Sequence, residues 1–277
     1  MSLMLKLLAT TLLLSSFVNA STTSQKVEKF LDNQFGDNPR IIKLDVKVVE
    51  VKPLKNLKGW DTYIVAVKAV LKDKPKETIK QNMIWFSNGK VITKEFNDLS
   101  NGESYNEMVK PNFQASYYTK ENLVYGNTDA KHKIVIFSDP LCPFCTDFAP
   151  AALTYMKKHP KTFAVYYFHY PILRIHPASA IIIRAAVVAE RKGVKDVVIN
   201  MYKTEINPHE KDVGKILVAF NKAVGSHVTQ KEISTADITK HINHDIEIAK
   251  KVFVAGTPTI YVDGKIDKTR KLYKSIH

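Results

Sequence analysis

The sequence predicts an α/β protein (α+β overall), in which a small α+β domain precedes a larger unit of a few buried strands and a long helical insertion. Three observations predict it. Residues 22–100 combine one amphipathic helix with a succession of alternating strand runs. Further on, the apolar run Ile134-Val135-Ile136-Phe137 leads into Cys142-Pro143-Phe144-Cys145, and Asp147 to Leu153 then reads as a helix. Between Pro171 and Thr259 the spacing is helical almost throughout, and a strand closes it.

A length of 277 residues fits one large domain or two small ones. At the N-terminus, Lys6 precedes an apolar run from Leu7 to Val18 that is too short to span a bilayer comfortably. Val18-Asn19-Ala20 supplies small residues where a signal peptidase cleaves, so residues 1–20 read as a signal peptide. An uncleaved anchor is the alternative. The mature chain is then exported to the periplasm, where disulfides persist.

Residues 21–100 read as a separate domain. Ser24 to Phe35 is a helix with Val27, Phe30, Leu31 and Phe35 on one side, stopped by Gly36-Asp37-Asn38-Pro39. Strands follow at Ile41 to Val51, Thr62 to Leu71, Thr78 to Phe86 and Lys90 to Phe96, the last two joined by the hairpin signal Ser87-Asn88-Gly89. This stretch contains neither histidine nor cysteine, so it reads as a dimerisation or substrate-docking module, or as one that only packs on its neighbour. Trp60 and Trp85 are either interface anchors or core residues. Residues 101–122 read as a linker, part helical between Glu103 and Lys110.

The unit 123–277 opens with a short strand at Leu123 to Tyr125. Lys133 to Ser138 is apolar enough for a central strand buried on both faces. Phe163 to Tyr170 is a second strand. The insertion reads as helices at Ser179 to Lys192, Val194 to Glu205, Asp212 to Val224 and Ala236 to Lys251. Thr259 to Val262 is the closing strand, and Asp263-Gly264 turns after it.

Cys142 and Cys145 are the chain's only cysteines. A strand, a turn and a helix with Cys-x-x-Cys in its first turn is the thioredoxin-like redox arrangement. The helix start favours an anion, and thiolate is the anion that attacks disulfides. Cys142 is therefore expected to be the exposed nucleophile and Cys145 the resolving thiol. A structural zinc site needs four ligands, and only His241 and His244, loosely spaced, offer themselves as partners. Covalent haem attachment needs a histidine where Thr146 stands. A purely structural disulfide across so short a loop adds little stability. No metal and no cofactor beyond the Cys142–Cys145 disulfide is expected.

Other side chains carry weaker signals. Pro258, at a strand start, is compatible with a sheet only there. Asp139 is expected to cap its loop, or else to polarise water near the thiols. His169 reads as a partly buried strand-end histidine, or else as one that reaches the active face; His241 and His244 read as a solvated helix face; Tyr166 and Tyr167 read as core and edge. The net charge is +14, but the lysines are scattered without a basic block, which speaks for a basic solubilising surface and against nucleic acid.

The segment Ile134 to Phe148, with Phe137-Ser138-Asp139-Pro140-Leu141-Cys142-Pro143-Phe144-Cys145, resembles the DsbG/DsbC family of periplasmic thiol–disulfide proteins. Gly256-Thr257-Pro258-Thr259-Ile260 is similar to that family's cis-proline loop, and the order of domains is similar too. The resemblance implies a thioredoxin-like fold, with Pro258 in a cis peptide beside the cysteines and the Thr257 backbone free to pair with a substrate chain. It also implies a V-shaped homodimer joined through residues 21–100, and a cleft for unfolded or misoxidised exported proteins. The activity implied is disulfide isomerase or reductase with chaperone-like binding, maintained by a membrane redox partner. A DsbA-like oxidase and a non-redox holdase are the alternatives. Two departures stand out: the chain has no second cysteine pair, and Phe144 occupies a position held by tyrosine in DsbG-like and histidine in DsbA-like patterns. Pro143 and Phe144 are accordingly expected to tune the redox potential.

Overall fold

The computed structural model describes residues 22–55 and 57–276. The signal peptide read at residues 1–20 lies outside the described residues. Among the described residues, no helix is long and apolar enough to cross a membrane. The chain divides into two compact units between Lys110 and Pro111.

In the first unit, residues 22–36 are helical (α1) and bury Val27 and Leu31. Four strands follow: β1 (Ile41–Pro53), β2 (Asp61–Leu71), β3 (Lys74–Ser87) and β4 (Ile92–Thr93). They form one antiparallel sheet in chain order. Val46, Tyr63, Val65 and Trp85 join Val27 and Leu31 in the core under α1, and the alternate residues Ile64, Ile84 and Phe86 are buried on the other face, Phe86 against Phe96. Trp60 packs its ring edge 5.3 Å from Phe96. The fourth strand is far shorter than the predicted Lys90 to Phe96. Asn88 explains its late start: the side-chain oxygen accepts the N–H groups of Lys90 and Val91, and at the other end the Thr93 hydroxyl bonds the Glu95 backbone in a turn.

The segment read as a linker, 101–122, is shared between the units. A helical turn, α2 (Tyr105–Met108), buries Tyr105 with its ring 4.6 Å from Phe96. Phe113 belongs instead to the core of the second unit, where its N–H donates to Gly264 O.

The second unit contains β5 (Leu123–Tyr125), β6 (His132–Ser138), α3 (Pro143–Lys157) and β7 (Phe163–His169). The helical insertion follows as α4 (Ser179–Arg191), α5 (Val197–Asn200), α6 (Val213–Val224), α7 (Gln230–Ile233) and α8 (Ala236–Lys251). Strands β8 (Thr259–Val262) and β9 (Lys265–Ile266) end the sheet, whose order is β5-β7-β6-β8-β9. Strand β6 runs parallel to β7 and antiparallel to β8. Alternate residues of the central strands enter different cores. Ile134, Ile136, Val165, Tyr167, Ile260 and Val262 face α3 and the insertion, whereas Val135, Phe137, Tyr166, Phe168 and Tyr261 meet Phe113 and the C-terminal end of α8. Burial on both faces is why these strands read as continuous apolar runs. Gly126 has φ of 76°, and a Cβ there would stand 1.9 Å from the Phe163 carbonyl oxygen, so only glycine fits this approach.

The helix predicted over Val194 to Glu205 is not continuous. Asp196 takes a left-handed φ of 59°, and its carboxylate accepts from Lys157 Nζ and Tyr125 Oη. These long-range partners hold the kink; α5 begins only after it, and Met201–Lys203 closes as a 3₁₀ turn.

Candidate active site

The site is built where β6 ends. Asp139, fully buried, accepts the Leu141 N–H at 2.9 Å and the Ser179 hydroxyl at 2.6 Å on one carboxylate oxygen. Its other oxygen accepts the Ile172 N–H at 2.8 Å and His176 Nδ1 at 2.9 Å. The bond to Leu141 is the expected loop cap. The other three reach across to the segment leading into α4, so one carboxylate braces two chain segments. Buried carboxylates are tolerated only when satisfied in this way. Sequence reading missed His176 and Ser179 as its partners; a lone apolar-flanked Asp-Pro ahead of the cysteines was the available signal.

The Cys142 N–H donates to Asp139 O, which sets Cys142 as the N-cap of α3. Pro143 takes the first helical position, where its missing N–H costs nothing. The N–H groups of Cys145 and Thr146 both donate to Cys142 O at 2.9 Å. Pro143 is exposed, and Phe144 is 69 % exposed, standing out between the two sulfurs.

The sequence predicts an exposed Cys142; the structure corrects this. Only 4 % of the residue is open, against none for Cys145. The cause is the loop before β8. The Cys142 Sγ is 3.7 Å from the Thr257 carbonyl oxygen, toward which the thiol is turned. The Thr257–Pro258 peptide is cis, and both residues are buried. Thus the candidates Cys142, Cys145, Thr257 and Pro258 come together, while Pro143 and Phe144 form the outer rim. Burial pushes the Cys145 thiol up to about 11, opposed by the polar groups near it, the Asp139 backbone and the Ser138 and Thr257 hydroxyls.

The remaining candidates lie elsewhere. His169 is buried, and its N–H donates to the carboxylate of Asp245, itself fully buried. Burial holds its imidazole down to about 4. The solvated face predicted for His241 and His244 holds only for His244, whose side chain stays 40 % exposed; that of His241 is 10 % exposed. Both rings turn to Asp245, at 3.7 and 3.6 Å, because α8 packs this carboxylate inward, where Asn122 Nδ2 also donates to it. Tyr166 and Tyr167 are both buried. Among the described residues, no group of three or more His, Cys, Asp or Glu side chains is placed to hold a metal ion.

Comparisons with known proteins bear on the second unit. Residues 118–277 match the family described as Thioredoxin. A comparison with curated proteins gives no match. Among solved structures the chain is similar to a thioredoxin-like oxidoreductase from Silicibacter pomeroyi DSS-3, with 20 % identity, coverage of 57 % of this chain and 92 % of that one, and a TM-score of 0.46. It is similar to BdbD from Bacillus subtilis at 17 % identity, covering 60 % and 92 %, with a TM-score of 0.48. A periplasmic thioredoxin-like protein from Salmonella enterica serovar Typhimurium shows 18 % identity, 58 % and 91 % coverage, and a TM-score of 0.47. The family match spans more than half of the sequence and contains the whole strand–dithiol–helix arrangement described above. The chain belongs to the thioredoxin family and is a thiol–disulfide oxidoreductase.

Proposed function

We propose that the protein is a DsbG/DsbC-type enzyme of the periplasm that rearranges or reduces disulfides in exported proteins. Cys142 is the nucleophile and Cys145 the resolving thiol. The observation that carries the assignment is the asymmetry of the pair: Cys142 caps α3 with its sulfur 3.7 Å from Thr257 O, whereas Cys145 is sealed. The cap position puts Cys142 at the positive end of α3, with its thiol turned to Thr257 O and not to a cap N–H.

In the forward direction the Cys142 thiolate attacks a client disulfide, forming a mixed disulfide and releasing one client thiolate. A second client thiol then displaces Cys142 and creates a new pairing. Otherwise Cys145 attacks Cys142 Sγ, the protein becomes the internal disulfide, and the client leaves reduced. Thr257 and Pro258 form the rim against which a client backbone docks. A homodimer through residues 21–100 gives unfolded clients a shared surface, and a membrane redox partner resets the dithiol.

Phe144 supports the reductive direction. Its ring offers no charge or donor to a thiolate, so the disulfide form is less oxidising than in a histidine-containing relative. Equilibration with glutathione tests this; a potential near the strongly oxidising end, about −120 mV, overturns it. Alkylation of the thiols in intact cells tests direction. A mostly reduced pool supports isomerase or reductase action, and a mostly oxidised pool makes the enzyme an oxidase.

A further inference from the structure

The loop that closes Cys142 runs from the end of α8 to the start of β8, and three hydroxyls hold it. Tyr261, on β8, donates its hydroxyl to Val252 O at 3.0 Å. Tyr170, one residue past β7, donates its hydroxyl to Val254 O at 3.1 Å. The Thr259 hydroxyl donates to Gly256 O at 2.7 Å. The next carbonyl, that of Thr257, is the one turned to the Cys142 sulfur at 3.7 Å. Tyr170 is fastened in its turn, because its N–H donates to Ser138 O at 2.9 Å. The tie therefore runs from the strand that leads into the cysteines to the loop that covers them. Local preference does not explain the loop's path. The chain leaves α8 through Phe253 with a φ of 54°, uncommon for a bulky side chain, so the bend is kept by its bonds. Burial raises the Tyr170 phenol, which keeps it protonated as a donor.

We infer that Tyr170 and Tyr261 are positioning residues for Cys142: they hold the Thr257 carbonyl against its sulfur, and so make the nucleophile selective for polypeptides over small thiol reagents. The inference rests on the dithiol reading above and assigns a selectivity to its first step. A sulfur that turns outward to react takes its donor away from Thr257 O. A carbonyl left short of a donor at a buried residue costs free energy. A polypeptide brings backbone N–H groups that replace the thiol on that oxygen. A reagent without an N–H brings none, and it reaches the sulfur only when the loop itself shifts against its ties. Removing one tie raises the shifted fraction, and the gain goes to the small reagent alone.

The probes are N-ethylmaleimide, which has no N–H, and insulin. With the maleimide, the Cys142 sulfur adds to the carbon–carbon double bond, a C–S bond forms, and the thiol proton ends, through water, on the neighbouring carbon. With insulin, one disulfide takes up the two electrons and two protons that the Cys142–Cys145 dithiol gives up, and an added small dithiol restores the enzyme.

Both reactions are run on the full chain at one pH, and the maleimide labels are located by mass spectrometry. Tyr170→Phe is expected to label Cys142 about 5-fold faster, the effect of one neutral hydrogen bond. Cys145 stays unlabelled, and kcat/KM for insulin does not rise, so the ratio of insulin to maleimide rates falls about 5-fold. Tyr261→Phe moves both readouts in the same direction, and it carries the test if Tyr170→Phe does not fold. Unchanged labelling in both variants overturns the inference. So does labelling of both cysteines together, which marks a general loosening, or a parallel rise with insulin. A wild-type chain whose Cys142 takes the label but which reduces no insulin overturns the dithiol reading itself, and the inference with it.

Discussion

The two units solve burial differently. The first covers one face of its sheet with α1 and leaves β1 as an outer edge with Ile42 and Val49 more than half exposed. The second covers both sheet faces, and there buried polar groups collect: Asp139, Asp245, His169, His176, Ser138 and Ser179. All described histidines and both cysteines fall in it. The difference teaches that chemistry follows desolvation. A carboxylate or thiol has unusual properties only where water is excluded and partners are fixed; among its described residues the first unit buries Thr62 and Ser87 but no carboxylate, thiol or imidazole.

This contrast can be broken in four ways, in decreasing order of effect. Replacing Cys142 with Ser is expected to reduce thiol–disulfide exchange to the uncatalysed background, measured by insulin reduction, with both units still folded by circular dichroism. Asp139→Ala leaves four donors unpartnered, two of them buried (His176 and Ser179), and is expected to cost the second unit about 4 kcal/mol, read as a lower urea midpoint for that unit alone. The counterpart in the first unit is Leu31→Ala, which opens a cavity in a small core. A loss of about 3 kcal/mol is expected in the first transition, with dithiol kinetics unchanged. A shift of both transitions together in either variant would erase the distinction.

The mildest test uses pH. The imidazole of His169 is held down to about 4 in the folded chain, mainly by burial, against 6.5 as its ordinary value. Between these values the unfolded chain takes up a proton that the folded chain refuses, so stability falls as pH falls through the window. His169→Gln removes this contribution. The stability difference between wild type and variant is expected to change by about 2 to 3 kcal/mol from pH 6.5 to pH 4 in thermal unfolding. A flat difference means that His169 is not buried neutral.

Much of the fold was legible because its signals are local. A continuous apolar run at 134–137, a dithiol at a helix start and Asp263-Gly264 after a strand each declare themselves within a few residues. The candidate site was half legible on the same ground: Cys142, Cys145, Thr257 and Pro258 sit in recognisable short motifs. What escaped was long-range. No local pattern announces that Asp196 will be drawn to Lys157, breaking the helix read over 194–205. Nor does spacing reveal that His241 and His244 turn inward to Asp245, or that Ser138 meets Tyr202 across the insertion. The closing of Cys142 is likewise a product of the distant loop at Thr257.

Phe144 gives the site an adjustable lip. Its ring projects from the first turn of α3, 69 % exposed beside the two buried cysteines, and it contributes to neither apolar core of its unit. A polypeptide approaching Cys142 meets that ring before it meets sulfur. On the proposed reading, changing this one side chain retunes which chains are admitted and how strongly electrons are held, while the scaffold stays as it is.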